Sequence, residues 1–225
     1  MGFLIYFFLI LIIPIWAQMR VRSAYNKYSR IPSSAGLTGA QVARKILDEN
    51  GLYDVRVEEI PGMLTDHYDP RAKVVRLSSE NYHGTSVAGT AVAAHEVGHA
   101  IQDAEGYAFL RFRHALVPVA NFGSNAAFFL ILAGIIIRAS GFILLGIIAM
   151  AGAVLFQIVT LPVEFNASNR AMEQVVATGL IRNEEERETR KVLDAAALTY
   201  VAAALVALME LLRFVFMFIG MNNEE

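Results

Sequence analysis

The feature that most constrains this chain is the uneven distribution of its charge. Residues 1–19, 115–163 and 194–220 make up 95 positions and hold four charged side chains, Arg138, Asp194, Glu210 and Arg213, whereas the other 130 positions hold 36. The second density, about 28%, is ordinary for a water-facing surface. Uncharged apolar runs long enough for the first need a bilayer, whose core is crossed by about 17–25 residues of helix. The sequence therefore predicts a mainly α membrane protein whose solvated part is a small α+β region. A simple soluble enzyme, a disordered tail and a disulfide scaffold are excluded. With no cysteine there is no thiol nucleophile and no thiolate site, so any metal must be held by His, Asp or Glu. A net charge of -2 gives no field for a polyanion, so nucleic acid is not an expected partner.

Four transmembrane helices are predicted. The first occupies 1–19, with Trp16 as an interfacial anchor. It is not read as a cleaved signal peptide, because no positive charge precedes the apolar run and Trp16-Ala17-Gln18-Met19 is a poor cleavage site. Residues 116–161 are too long for one span and are interrupted by Arg138-Ala139-Ser140-Gly141, which predicts a helical hairpin of 116–137 and 141–161. The fourth span lies within 194–220. Basic residues concentrate in 20–115 (Arg20, Arg22, Lys27, Arg30, Arg111, Arg113) and in 162–193 (Arg170, Arg182, Arg187, Arg190, Lys191). The opposite side has Arg138 and the acidic end Glu224-Glu225. The positive-inside rule then predicts a multi-pass protein of the cell membrane with both solvated segments cytoplasmic and both termini outside. Because a hairpin returns the chain to the side it left, 20–115 and 162–193 can build one site.

Within 20–115, Thr38-Gly39-Ala40-Gln41 predicts a capping box opening a helix that Asn50-Gly51 closes. Strands are expected around Val55–Glu58 and Lys73–Leu77, with turns at Pro61-Gly62 and Asp69-Pro70-Arg71. A helix rich in Ala and Val is expected over Thr85–Ala104, ended by Glu105-Gly106. Tyr107–Arg113, mixing aromatic and arginine side chains, reads as an interfacial anchor.

That last helix carries the chemical motif, His95-Glu96-Val97-Gly98-His99. Residues four apart share a helix face, so both imidazoles can bind one metal, and Glu96 stands where it can take a proton from water on that metal. With 5 His and 15 Glu in 225 residues, such a motif is expected by chance roughly 0.007 times. This is the pattern of zinc hydrolases, which predicts a Zn2+ site. A catalytic zinc needs a third protein ligand, and Glu164, in Leu161–Ser168 just past the hairpin, where Pro162 fits the first turn of a new helix, is the best placed candidate. His67, His83, His114 and the carboxylates are the other groups available, His83 reading more simply as a flank before the HExxH helix and His114 as an interfacial residue. Spacing alone leaves Glu164 open between a ligand and a solvated helix cap.

Three blocks, Thr65–Arg71, Val92–Gln102 and Leu161–Ser168, resemble the membrane zinc metallopeptidases of the YugP-like family, which are HExxH enzymes of gluzincin type and distant relatives of the HtpX endopeptidases. The likeness covers nearly the whole chain. It implies a zincin-like peptidase region with a glutamate ligand on a later helix, here Glu164. The relatives place an aspartate four residues after that glutamate to orient a histidine. This chain has Ser168 there, a weaker partner, with Asn166 able to share the task. His67 is open between stabilising an oxyanion and capping the turn at Asp69-Pro70, and the turn chemistry favours capping. Tyr68, Tyr82 and Arg170 are further oxyanion candidates, although Arg170 is most simply a positive-inside charge. Glu210 and Arg213 are expected to pair in the last span, and Asn121, Asn125 and Gln157 to bond between helices.

The expected function is a zinc endopeptidase embedded in the membrane. Glu96 would activate zinc-bound water against the carbonyl of a peptide or membrane-protein substrate, held beside the strand Val74–Leu77 at the cytoplasmic face. Two alternatives are an intramembrane protease, with the HExxH helix in the bilayer, and a zinc-binding scaffold or regulator in which Glu96 does no chemistry.

Overall fold

The computed structural model describes residues 2–222; the acidic end Glu224-Glu225 lies outside the described residues. Among the described residues, seven helices and three strands follow one another as α1 (Gly2–Tyr28), α2 (Gly39–Glu49), β1 (Arg56–Ile60), β2 (His67–Asp69), β3 (Val74–Ser78), α3 (Ser79–His83), α4 (Val87–Ala104), α5 (Ala108–Ile136), α6 (Ser140–Ala177) and α7 (Asn183–Asn222). The chain is mainly α with one small sheet. Four helices, α1, α5, α6 and α7, are long and apolar enough to cross a membrane. The described residues divide into two compact units: one of residues 2–16, 108–162 and 200–222, the other of residues 17–107 and 163–199.

The first unit is the apolar one. Its hairpin of α5 and α6 turns at Arg138, which takes φ +53, and closes with Ala139 N–H donating to the Gly134 carbonyl at 2.9 Å. The two helices meet through small residues, as association in lipid favours. A Cβ on Gly123 would lie 2.5 Å from the Ala149 carbonyl oxygen, and one on Gly146 would lie 3.1 Å from that of Ala127. Phe122 and Phe129 are exposed, which suits side chains solvated by acyl chains. Glu210 and Arg213 face one cavity together with Ser124 and Gln157, and the Arg213 guanidinium lies 5.2 Å from the centre of the Tyr6 ring. Asn125 does not bond to another helix as expected: its amide donates to the Asn121 carbonyl of its own helix at 2.8 Å.

The second unit is built like a small water-soluble domain. The Thr38 capping box forms, with Gln41 N–H donating to Thr38 Oγ1 and Thr38 N–H to Gln41 Oε1. It starts α2, whose Val42, Ala43, Ile46 and Leu47 are fully buried. The sheet order is β1-β3-β2: β1 pairs parallel with β3 in register Arg56↔Val74 to Ile60↔Ser78, and β2 pairs antiparallel with it in register His67↔Arg76 to Asp69↔Val74. The central strand therefore buries Val74, Val75 and Leu77.

Three sequence expectations change here. β2 has three residues, too few to show alternation, and it forms because the turn after it is strong: Asp69 Oδ1 accepts from the N–H of Arg71 and of Ala72. Since β3 is paired on both edges, no substrate strand can lie beside Val74–Leu77; the outer edges belong to β1 and β2. Finally, Pro162 does not open a new helix. It sits inside α6, which runs unbroken from Ser140 to Ala177. Proline's φ is helical, and the cost is confined to one missing N–H and crowding against the turn before it.

A buried polar network ties α1 to the sheet and α3. Tyr25 Oη donates to Asn81 Oδ1 at 2.8 Å, Asn81 Nδ2 donates to Asp66 Oδ2 at 3.0 Å, and Asp66 Oδ1 accepts from Ser78 N–H at 2.7 Å. Asn81 is the only one of these able both to give and to accept through its side-chain amide, so it cannot be replaced without stranding a neighbour. Asn81→Ala is expected to cost about 1–3 kcal/mol. That would lower the midpoint of thermal unfolding in detergent by several degrees; an unchanged midpoint would show that the network carries no stability.

Candidate metal centre

α4 starts where Ser86 Oγ accepts the Gly89 N–H at 3.0 Å, a side-chain cap for one of the orphan N–H groups at a helix start. Its Ala, Gly and Val residues leave little side chain between this helix and its neighbours, and thirteen of its eighteen residues are buried. The tightest approach is to residues 163–177 of α6. A Cβ on Gly98 would lie 2.6 Å from the Ala167 carbonyl oxygen and 3.3 Å from the Ala167 Cα. Only glycine allows the two backbones to come so close.

That approach delivers Glu164 to the histidines. Glu164 Oε2 is 3.3 Å from His95 Nε2 and 3.4 Å from His99 Nε2, and the imidazole rings stand edge to face with centroids 4.8 Å apart. Among the described residues, His95, His99 and Glu164 form the cluster that can share a metal, with ligand atoms all within 4.8 Å of one another. Two neutral imidazoles and one carboxylate are the donor set of a three-ligand site that leaves a further position for water or substrate. The electrostatics suit a cation. Burial pushes the His99 imidazolium down, but the hydrogen bond and charge of Glu164 outweigh it and hold His99 above the ordinary histidine range. A bound cation takes the place of that proton.

Glu96 sits between the two histidines on α4 and is buried, at 8% exposure. Burial pushes its carboxyl above the ordinary range against the pull of His95 and His99, as suits a group that must gain and lose a proton.

The remaining residues singled out from the sequence divide. Ser168 Oγ lies 3.2 Å from His95 Nδ1, the position the aspartate of the relatives would serve. Asn166 instead accepts from Gln102 Nε2 at 2.9 Å and from Arg170 Nε at 2.8 Å. His67 stands on β2, its Nδ1 donating to the Thr65 carbonyl at 2.8 Å and its Nε2 accepting from Arg76 at 3.3 Å; the turn is capped by Asp69 itself. Tyr68 Oη donates to Asp103 Oδ2 on α4 at 2.9 Å, which latches β2 to that helix. Arg170 also donates to Glu105 at 2.6 Å. His83 closes α3 rather than leading into α4, and pairs with Glu59 at 3.1 Å.

Gln102 is the site residue that sequence reasoning passed over. It is fully buried, its Oε1 accepts from His99 Nδ1 at 3.0 Å, and its Nε2 donates to the Val163 carbonyl at 2.8 Å. The signal was present: a long polar side chain three positions after a ligand histidine lies on the same helix face.

Comparison with known proteins bears on the kind of metal and activity. Residues 3–219 match the model of the family described as "Putative neutral zinc metallopeptidase". The chain is 55% identical over 210 residues, 93% of its own length and 93% of the relative's, to the "Putative membrane protease YugP" of Bacillus subtilis (strain 168). No solved structure matches it. The family implies Zn2+ as the metal, and the donor set fits that ion.

If the Gly98 approach places the third ligand, Gly98→Ala must push residues 163–177 away and weaken zinc binding by at least about tenfold, the scale of losing a supporting contact. Gly141→Ala, where an added Cβ meets nothing within 4 Å, should bind zinc as the parent does. Metal analysis of both purified proteins decides; full zinc occupancy in Gly98→Ala at limiting metal would refute the account.

Proposed function

Since this chain belongs to the neutral zinc metallopeptidase family, as a multi-pass membrane protein, we propose that it is an endopeptidase acting at the cytoplasmic surface of the membrane with Glu96 as general base and acid. The observation that carries the reading is the buried triangle of His95, His99 and Glu164 with Glu96 beside it.

Zinc, when bound, supplies Lewis acidity that lowers the pKa of water and polarises a scissile carbonyl. The protein's own groups do the rest. His95, His99 and Glu164 hold the ion while Ser168 and Gln102 hold the two imidazoles from behind. Glu96 accepts a proton from the attacking water and returns it to the leaving amine, the role that needs a carboxyl whose affinity for protons has been raised by burial. The outer edge of β2 is the strand edge beside α4, to which Tyr68 ties it through Asp103, and an extended peptide can add to such an edge by main-chain hydrogen bonds.

A cytosolic rather than intramembrane position is supported by α4 itself. It is not among the helices long and apolar enough to span, and it is packed into the core that contains α2, β3 and residues 163–199. Catalysis rather than scaffolding is supported by the cost of burying Glu96, which a binding site alone does not require. The cytoplasmic side is supported by the basic residues that crowd the solvated segments.

Glu96→Gln should retain about one zinc per chain while peptide cleavage falls by about 10²–10⁴-fold, the usual worth of a general base; Glu164→Ala should lose the zinc. Cleavage by Glu96→Gln at the parental rate would end the mechanism. Orientation is checked separately, since a chain without cysteine accepts single reporters cleanly. A membrane-impermeant maleimide should label Arg138→Cys in intact cells and Tyr53→Cys only after lysis. The reverse pattern would invert the topology.

A further inference from the structure

We infer that Arg170 is a positioning residue that selects the tautomer of the zinc ligand His99 through a one-way chain of hydrogen bonds. The inference rests on His95, His99 and Glu164 being the zinc ligands, and it concerns how one of them is kept ready.

The direction of each bond follows from what each group can do. A guanidinium has donors and no acceptor. Arg170 Nε donates to Asn166 Oδ1 at 2.8 Å, so the oxygen of that amide, not its NH2, faces the arginine. The same oxygen accepts from Gln102 Nε2 at 2.9 Å, and the second proton of that nitrogen goes to the Val163 carbonyl oxygen at 2.8 Å. With acceptors on both sides, the Gln102 NH2 must face Asn166 and Val163, which turns its Oε1 to His99. A carbonyl oxygen cannot donate, so His99 Nδ1, 3.0 Å away, must carry the proton. Once the ring gives up its second proton to bind the ion, the lone pair is thereby left on Nε2, the nitrogen 3.4 Å from Glu164 Oε2 and the one the metal needs. Glu105 anchors the other end by accepting from Arg170 Nη2 at 2.6 Å.

Without Arg170 the chain has a second solution. Asn166 can turn over and present its NH2 to Gln102 Oε1; Gln102 then turns its own NH2 toward His99 and favours the tautomer protonated on Nε2, which cannot bind the ion. Only the bond to Val163 opposes this, and one neutral hydrogen bond biases such a choice by only about several-fold. In the presence of Arg170 the flipped amide would put NH2 against guanidinium. His95 has no such control, because the Ser168 hydroxyl can rotate to serve either tautomer. The orienting role that Ser168 fills weakly on His95 is thus filled, on the other histidine, by an amide relay that reaches solvent at Glu105.

The test is zinc affinity of the full-length protein in detergent, read by competition with a fluorescent chelator, together with the Nδ1–H resonance of His99 in 15N-histidine-labelled, zinc-loaded protein. Arg170→Met, which keeps the aliphatic stem, should weaken zinc binding about tenfold, toward the lower end of what removing a supporting partner costs, and the Nδ1–H signal should lose its protection from exchange. Asn166→Asp offers acceptors to both Arg170 and Gln102 and should bind zinc close to the parental affinity, whereas Asn166→Leu should not. Arg190→Met, removing an arginine that donates to Asn169 outside the relay, should change neither reading. Parental zinc affinity with an unchanged His99 signal in Arg170→Met would overturn the inference. So would equal losses in Asn166→Asp and Asn166→Leu, since Asn166 would then act by shape alone; that pair decides the matter even if Arg170→Met does not fold. No substrate enters these measurements, so a failed relay leaves the peptidase reading standing, and a parent that cleaves nothing leaves the relay standing.

Discussion

Everything at this site depends on two helix backbones meeting with nothing between them. At Gly98 there is no room for even one methyl group against the carbonyl of Ala167, and it is this contact that sets a carboxylate from one helix among the imidazoles of another. A metal site tolerates errors of only a few tenths of an ångström in its ligands. Side chains as long as glutamate reach that precision only when their backbones are held close and their rotamers are locked by packing. The Ala, Gly and Val composition of α4 is therefore a demand of the site as much as a helix preference. Each small residue on that helix trades side-chain contact for proximity.

The second requirement is that both imidazoles be held from behind. His95 and His99 are gripped by different chemistry, a hydroxyl on one and an amide on the other, and both grips come at least partly from residues 163–177 of α6, which also carry Glu164. The same short stretch of helix thus carries the Glu164 carboxylate, places Ser168 against one imidazole, and meets Gln102, the partner of the other, through Val163 and Asn166. Concentrating these functions in one segment couples them. A shift of that segment changes the ligand and its supports together, so the site is either assembled or lost, which suits a peptidase whose reactive centre should not act half formed.

Much of this could be read before any coordinates existed, and particular residues explain why. The segregation of charge marked the four spans because burial in lipid punishes every charge individually. The hairpin turn at Arg138 was visible because one polar tetrapeptide interrupts 46 apolar-rich positions. His95, Glu96 and His99 were visible because helical periodicity converts a spacing of four directly into a shared face. β2 was not visible, having too few residues for a pattern, and the unbroken run of α6 was hidden because Pro162 suits a helix start as well as a tolerated interior position. Gln102 was passed over for a different reason: its residue type suggests no chemistry until a histidine and two acceptors are seen around it.

The sequence by itself determined the partition between lipid and water, the helix bearing the HExxH motif and the family to which the chain belongs, because each of these is written in local periodicity or in the cost of burying charge. Only the tertiary structure decided that Glu164 lies against both imidazoles, that β3 is closed on both edges, and that Arg170, Asn166 and Gln102 form one chain of hydrogen bonds ending at His99. The first and the third of those facts join residues more than sixty positions apart, and no local rule relates such residues. What relates them is close packing between helices, together with the donor and acceptor limits that each polar group meets once it is buried.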